Sequence, residues 1–351
     1  MDGRENNFDF LRIAAAYLVL FSHCFPLFGN PAEPFFSIAG HETGGDLAVA
    51  IFFYISGYLM SGSLERRPGF IDFTTGRALR ILPGLFVSVA FCVLVIGPLY
   101  TNLPLGTYFA APGTRHFFSN ALVFPLRGDL PGVFLTAPFA RAVNGSLLTL
   151  PIEVTLYGVL FALSRAGALR SAWGLAIPVL FYCALSYGQR HFGLDGTHQG
   201  GAILRSVPLF GTLKNGMFFF SGMAVFICRD RFRPGWLLGA AAACLLAAAY
   251  VVPLGFGAEA LALPFFIHSI AHARVPLWRA TRRSGDISYG LYVYAFPVQQ
   301  AVWASCSSFL HFWSMMALSA AIATALALAS WHLVEKPALA WKRKLLATAA
   351  R

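Results

Sequence analysis

The chain is poor in charge. Only 12% of its 351 residues are Asp, Glu, Lys or Arg, whereas soluble domains carry about 25%. Acidic side chains are the scarcest, at 15. So little charge does not cover the surface of a soluble domain of this length, so a soluble fold is excluded first. The six cysteines (Cys24, Cys92, Cys183, Cys228, Cys244 and Cys306) form no CxxC pair and fall in or beside apolar runs. Their spacing offers no disulfide framework and no metal site, and they read as small buried hydrophobes. The first apolar run starts with Asp9 and Arg12 and lacks a small-residue cleavage site at its end. It therefore reads as a retained transmembrane helix and not a signal peptide. The apolar runs do not alternate with polar residues, which excludes a membrane β-barrel. No repeat, low-complexity tract or second soluble domain is visible, so residues 1–351 are expected to form a single membrane-embedded domain.

What is present is apolar length. Hydrophobic residues make up 57% of the chain, with 34 phenylalanines among them. Ten stretches approach the roughly 20 residues needed to cross a bilayer: 8–28, 46–63, 82–100, 147–164, 172–188, 207–227, 236–252, 256–271, 286–306 and 313–334. The expected fold is all-α, a polytopic membrane protein whose first partner is the lipid bilayer. The net charge of +11 does not point to nucleic acid, because the basic residues sit in short clusters between apolar runs. With the N-terminus in the cytoplasm, 20 of the 26 Lys and Arg residues fall on the cytoplasmic side. Five fall outside, and Lys214 lies within the sixth span. That bias places both termini in the cytoplasm. The longest loop, about 101–146, then faces outward. It holds Pro104, Pro112, Pro125, Pro131 and Pro138. Loops of this length are usually functional, and His116–Leu126 has the character of a re-entrant or interfacial segment.

Ionisable residues within spans are costly and mark functional positions by default. In the first span, Arg12 and His23 are 11 residues apart, close to three full helical turns, so both share one face about 16 Å apart along the axis. Arg12 sits near the cytoplasmic end and His23 in the outer half. A long, thin substrate with an anionic end inside and a reactive end deep in the membrane matches that stripe, and acyl-CoA has this shape. Taken singly, a snorkelling anchor explains Arg12, and an interfacial histidine bonded to a carbonyl explains His23. At the end of the first cytoplasmic loop, TGRALRILPG spaces Arg77 and Arg80 at i, i+3, on one face if helical. Two guanidiniums there suit phosphate, and positive-inside topology also accounts for them. Glu153 enters the fourth span near its outer end. It is placed to bind an acceptor, to orient the imidazole or to pair with Lys214. Ser56, Gly57, Tyr58 and Leu59 read as a small-residue contact between helices. Glu335 and Lys336 read as local pairing just before Pro337, which is expected to end the last span.

Together these segments resemble the family 3 membrane O-acyltransferases along the whole chain. Arg12 through His23 resembles the family's R-x10-H motif, and Arg77 with Arg80 its RxxR motif. SGYL, NGSL followed by PIE, GDISYGLYVYAFPVQQ and HLVEKPAL are similar to family segments in the same order. Leu148 departs from the pattern, because relatives commonly carry Trp there, which bears on the acceptor. The resemblance implies a bacterial inner-membrane enzyme that moves an acyl group, acetyl in most relatives, from cytoplasmic acyl-CoA to a hydroxyl of an extracytoplasmic glycan. His23 would be the general base, since imidazole titrates near neutrality. Arg12, Arg77 and Arg80 would hold the CoA phosphates, and Glu153 would bind the acceptor or orient His23. Asn144, Ser146 and Tyr58 are candidate oxyanion donors. Acetyl-CoA enters as the donor substrate, and no permanently bound cofactor is expected. Some relatives carry an esterase-like soluble domain. Here acceptor handling is expected from the membrane domain and its loops. Cys24 neighbours His23 but points about 100° away on a helix, so it is not a nucleophile candidate. The rival reading is a transporter or flippase using Arg12, His23 and Glu153 as a pathway. No inverted repeat or pair of broken helices supports it.

Overall fold

A computed structural model describes residues 6–194, 202–204, 207–231, 235–252, 256–273, 275–281 and 285–341. Of the basic residues that set the charge bias, Arg4, Arg205, Arg233, Arg274, Arg282, Arg283, Lys342, Arg343, Lys344 and Arg351 lie outside the described residues.

Among the described residues, ten helices have sixteen or more residues, and each overlaps one of the ten apolar stretches. They are α1 (Phe8–Leu27), α2 (Gly44–Arg66), α3 (Phe70–Phe91), α4 (Leu150–Arg165), α5 (Ile177–Phe192), α6 (Leu209–Ile227), α7 (Trp236–Val251), α8 (Phe256–Ala271), α9 (Ser288–Cys306) and α10 (Phe312–Ser330). The described strands are a two-stranded antiparallel pair, Ala202–Leu204 with Val207–Pro208. Among the described residues, six helical segments are long and apolar enough to cross a membrane: Phe8–Leu27, Gly44–Arg66, Phe70–Tyr100, Gly145–Arg165, Leu209–Ile227 and Phe312–Trp341. The helices Trp236–Val251 and Gly257–Ala271 are apolar but shorter.

Two boundaries differ from expectation. α3 begins at Phe70, so Arg77 and Arg80 stand on a helix and not in a loop. The last helical segment runs through Pro337 to Trp341. A π turn, Trp331–Glu335, precedes the proline, and in it the Lys336 N–H bonds the Trp331 carbonyl. Pro337 then falls in the first turn after that shift, where a missing N–H is tolerated.

The chain forms two compact units. One comprises Met1–Ala15, Pro34–Phe73 and Thr149–Arg283, the other Ala16–Glu33, Thr74–Leu148 and Ser284–Arg351. In the first, α2 and α6 cross with their backbones in close contact. A Cβ at Gly57 would run into the Phe219 carbonyl, and one at Gly222 into the Tyr54 carbonyl. The small-residue reading of SGYL is therefore a packing fact. Phe218, Phe219 and Phe220 fill the core beside this crossing.

In the second unit the long loop at residues 101–146 is tied down. After α3 the ladder passes through a π turn, Cys92–Ile96, in which Gly97 N–H reaches the Cys92 carbonyl. In that register the Val93 carbonyl would be met by residue 98, which is a proline without an N–H. The Tyr108 hydroxyl takes its place, donating to Val93 O at 2.9 Å. Residues Leu105–Ala110 and Pro112–Phe117 are short helices, followed by a 3-10 turn, Phe118–Leu122. The segment expected to be re-entrant or interfacial is thus helical at its start. Asn120 then clasps the Arg127 backbone, donating to its carbonyl at 2.9 Å and accepting from its N–H at 2.7 Å.

Candidate active site

α1 is one continuous helix, so Arg12 and His23 keep the common face that their spacing requires. Eleven residues leave a remainder of about 20° after three turns. Both side chains are half-buried.

His23 lies in the second unit, where its ring meets Phe296 of α9 edge to face, centroids 5.6 Å apart. Phe296 also contacts Phe139 at 6.1 Å. A Cβ at Gly145 would lie 2.7 Å from the Phe296 ring edge. The glycine of NGSL is thus the residue that leaves room for the ring against which His23 rests. Neither Phe296 nor Phe139 is visible as a functional residue in the sequence, because an aromatic in an apolar run carries no signal of its own.

Asn144 is tied to the same helix. Its Nδ2 donates to the Val293 carbonyl at 2.8 Å, and Ser88 Oγ donates to that carbonyl at 3.2 Å. This oxygen is available because the residue four positions on is Pro297, which has no N–H to complete the helical bond. The Asn144 amide therefore serves as a tether between the NGSL segment and α9. Ser146 is buried in the 3-10 turn Gly145–Thr149 that follows.

Two fully buried glutamines extend the stripe begun by Phe296 at i+3 and i+4. Gln299 donates to the Leu20 carbonyl at 2.7 Å and lies 2.9 Å from Cys24 Sγ. It thereby holds the turn of α1 that carries His23. Gln300 donates to the carbonyls of Phe139 and Ala142 at 2.7 and 2.9 Å, which fixes the loop entering NGSL. The VQQ of the ninth span is thus a positioning element for His23 and its surroundings.

Arg80 is held by two carboxylates. Its Nη2 is 2.6 Å from Asp286 Oδ2 and its Nη1 is 2.8 Å from Glu335 Oε2. Glu335 is therefore bound to α3 and to Ser330 Oγ at 3.0 Å, and does not sit in local pairing with Lys336. Arg77 is half-buried one turn earlier on α3.

The first unit holds the other candidates. Glu153 stands in the first turn of α4, where the helix dipole favours a carboxylate. It accepts hydrogen bonds from the Tyr157 hydroxyl and, at 3.4 Å, from Ser56 Oγ. Lys214 carries ion pairs to Glu42 at 2.7 Å and Asp46 at 3.0 Å. Asp46 also closes the capping box with Thr43 that starts α2. Tyr58 packs on Phe8 at 5.3 Å and on His268 at 5.4 Å. Phe8 is the first residue of α1, and His23 lies 15 residues further along that helix, about 22 Å of rise. Tyr58 thus packs at the start of α1.

The long apolar helices define a multi-pass helical membrane protein. Residues 5–332 match acyltransferase family 3, described as an acyltransferase domain. The chain is 31% identical over 342 residues to an O-acetyl transferase of Shigella phage Sf6, covering 95% of this chain and 96% of the relative. It is 28% identical over 374 aligned positions to Nodulation protein 10 of Rhizobium leguminosarum bv. viciae, covering 98% and 96%. No solved structure matches. The chain belongs to acyltransferase family 3 and is an acyltransferase acting on groups other than aminoacyl groups.

Proposed function

We propose that this enzyme is an O-acetyltransferase of the bacterial inner membrane that takes acetyl from cytoplasmic acetyl-CoA and places it on a hydroxyl of an extracytoplasmic glycan. The observation that carries the reading is the pair on α1: a guanidinium and an imidazole on one face, about 16 Å apart along the axis. That separation suits a donor whose phosphates stay near the cytoplasmic end while its thioester reaches the outer half. In this reading ten spans put both termini inside and Glu153 at the outer, acceptor end of α4. The name of the Sf6 relative supports acetyl as the group transferred.

His23 accepts the proton of the acceptor hydroxyl as its oxygen attacks the thioester carbonyl. The C–S bond then breaks, the new ester is released, and the leaving thiolate takes the proton back from the imidazolium. Arg12 and Arg77 neutralise the donor phosphates. Ser146 remains the candidate to stabilise the tetrahedral oxyanion. The test is transfer of label from radiolabelled acetyl-CoA to membrane glycan in vesicles containing the protein. Alkali-labile label on the glycan is expected. A flippase or transporter would leave the glycan unlabelled, and that result ends the proposal.

A further inference from the structure

The second unit contains a buried charge cluster that the transfer mechanism does not use as chemistry. Arg80 of α3 sits between Asp286, just ahead of α9, and Glu335, at the end of the π turn after α10. The ion pairs measure 2.6 and 2.8 Å, and the three side chains are 13%, 12% and 1% exposed. Each carboxylate is itself held. Ser288 Oγ donates to Asp286 Oδ1, and Ser330 Oγ donates to Glu335 Oε1. The guanidinium also lies 5.7 Å from the ring centroids of both Tyr289 and Trp331. Tyr289 in turn donates from its hydroxyl to the Ile81 carbonyl on α3 at 2.9 Å.

This is the surrounding of a clamp. Both Nη atoms are engaged by carboxylates and the ring faces are close by. The formal charge of the trio, one positive and two negative, is net negative. A phosphate entering there would have to displace two carboxylates in a place shielded from water, where like charges repel strongly. The π turn is part of the device: it offsets the helix by one residue, a change common at functional sites, and ends on Glu335.

We propose that Arg80 is a positioning residue that locks the cytoplasmic half of α3 to the start of α9 and the end of α10. That leaves Arg77, and not Arg80, to meet the phosphates of an acyl-CoA donor. The proposal rests on the acyl-CoA reading for what Arg77 holds, and on the ion pairs alone for what Arg80 does. The two parts fail separately.

The experiment uses the full chain in detergent or nanodiscs, with thermal unfolding and acetyl-CoA kinetics as separate readouts. Glu335→Gln is expected to lower the melting temperature in the wild-type background and to have little further effect in an Arg80→Met background, because the pair is already broken. Equal losses in both backgrounds would show that the two residues act independently and would overturn the clamp, whatever the substrate. In kinetics, Arg77→Ala should raise the KM for acetyl-CoA about tenfold or more. Arg80→Lys should hold that KM within about twofold while lowering kcat. Removing one member of a buried ion cluster is harsher than removing all of it. The charge-free Arg80→Met, Asp286→Asn, Glu335→Gln triple variant therefore covers the case in which single variants fail to fold, and its KM should also stay near wild type. A KM raised about tenfold in either the Arg80→Lys or the triple variant would show that Arg80 holds the donor and would overturn the assignment. Absence of transfer by the wild-type protein would instead overturn the donor reading, with the unfolding comparison still deciding the clamp.

Discussion

At His23 the imidazole edge faces Phe296, and the turn of α1 beneath it is held by Gln299. His23→Ala is expected to abolish most transfer, by about 10²- to 10⁴-fold if the imidazole is the general base, with normal protein levels in the membrane. Quantifying ester-linked acetyl on surface glycan, alongside immunoblotting, checks this. Unchanged acetylation would exclude the role. Gly145→Ala reaches the same imidazole indirectly. The added methyl meets the Phe296 ring, and small misplacements near reacting groups cost up to about 100-fold in rate. A fall in kcat that is relieved by shortening the ring, as in Phe296→Leu, is the expected signature. An active Gly145→Ala enzyme would mean that the ring position does not matter. The Arg12–His23 stripe was readable because helical spacing alone sets relative direction on one element. The tether from Asn144 to Val293 was not, because it spans 149 residues and depends on which carbonyl Pro297 leaves open.

Prolines in the helical segments leave carbonyls without their backbone partner, and the freed carbonyls become attachment points. Val93 holds the loop at residues 101–146 through Tyr108, and Val293 holds NGSL through Asn144. Tyr108→Phe removes a buried hydroxyl donor and leaves that carbonyl unpaired, a loss of about 1–3 kcal/mol. The measurable outcome is a lower melting temperature with faster proteolysis in the loop at residues 101–146. A Tyr108→Phe protein indistinguishable from wild type in both assays would show the loop to be anchored elsewhere. At the α2–α6 crossing, Gly57→Leu drives a side chain into the Phe219 carbonyl. Overpacking of this kind typically costs about 1–3 kcal/mol, occasionally more. Loss of monodisperse protein on size exclusion is expected. The positions of these helices were legible from hydropathy, since burial of backbone groups in lipid leaves little alternative to helix. The early start of α3 was not, because the segment before residue 82 is too polar to register as a span.

For the whole molecule, the charge bias predicts that both ends share one side of the membrane. A reporter joined after Arg351 is expected to report the cytoplasm, and one inserted near Gly128, in the outer loop, the opposite side. The opposite combination would reverse the proposed sides of donor and acceptor, and reporters on one side would overturn the topology. The two compact units draw on segments far apart in the chain, so the first and last thirds of the sequence each contribute to both.

The amino-acid sequence by itself determined the helical membrane character, the places of the main helices, the family and the common face of Arg12 and His23. These follow from local quantities: apolar length, spacing and motif order. Only the tertiary structure decided that Arg80 is bound by carboxylates 206 and 255 residues away, that Lys214 pairs with Glu42 and Asp46, and that Phe296 packs on His23. Hydropathy says that a helix is buried but not which neighbour each of its faces meets. Partners in a buried ion pair or ring contact are fixed by that choice of neighbour.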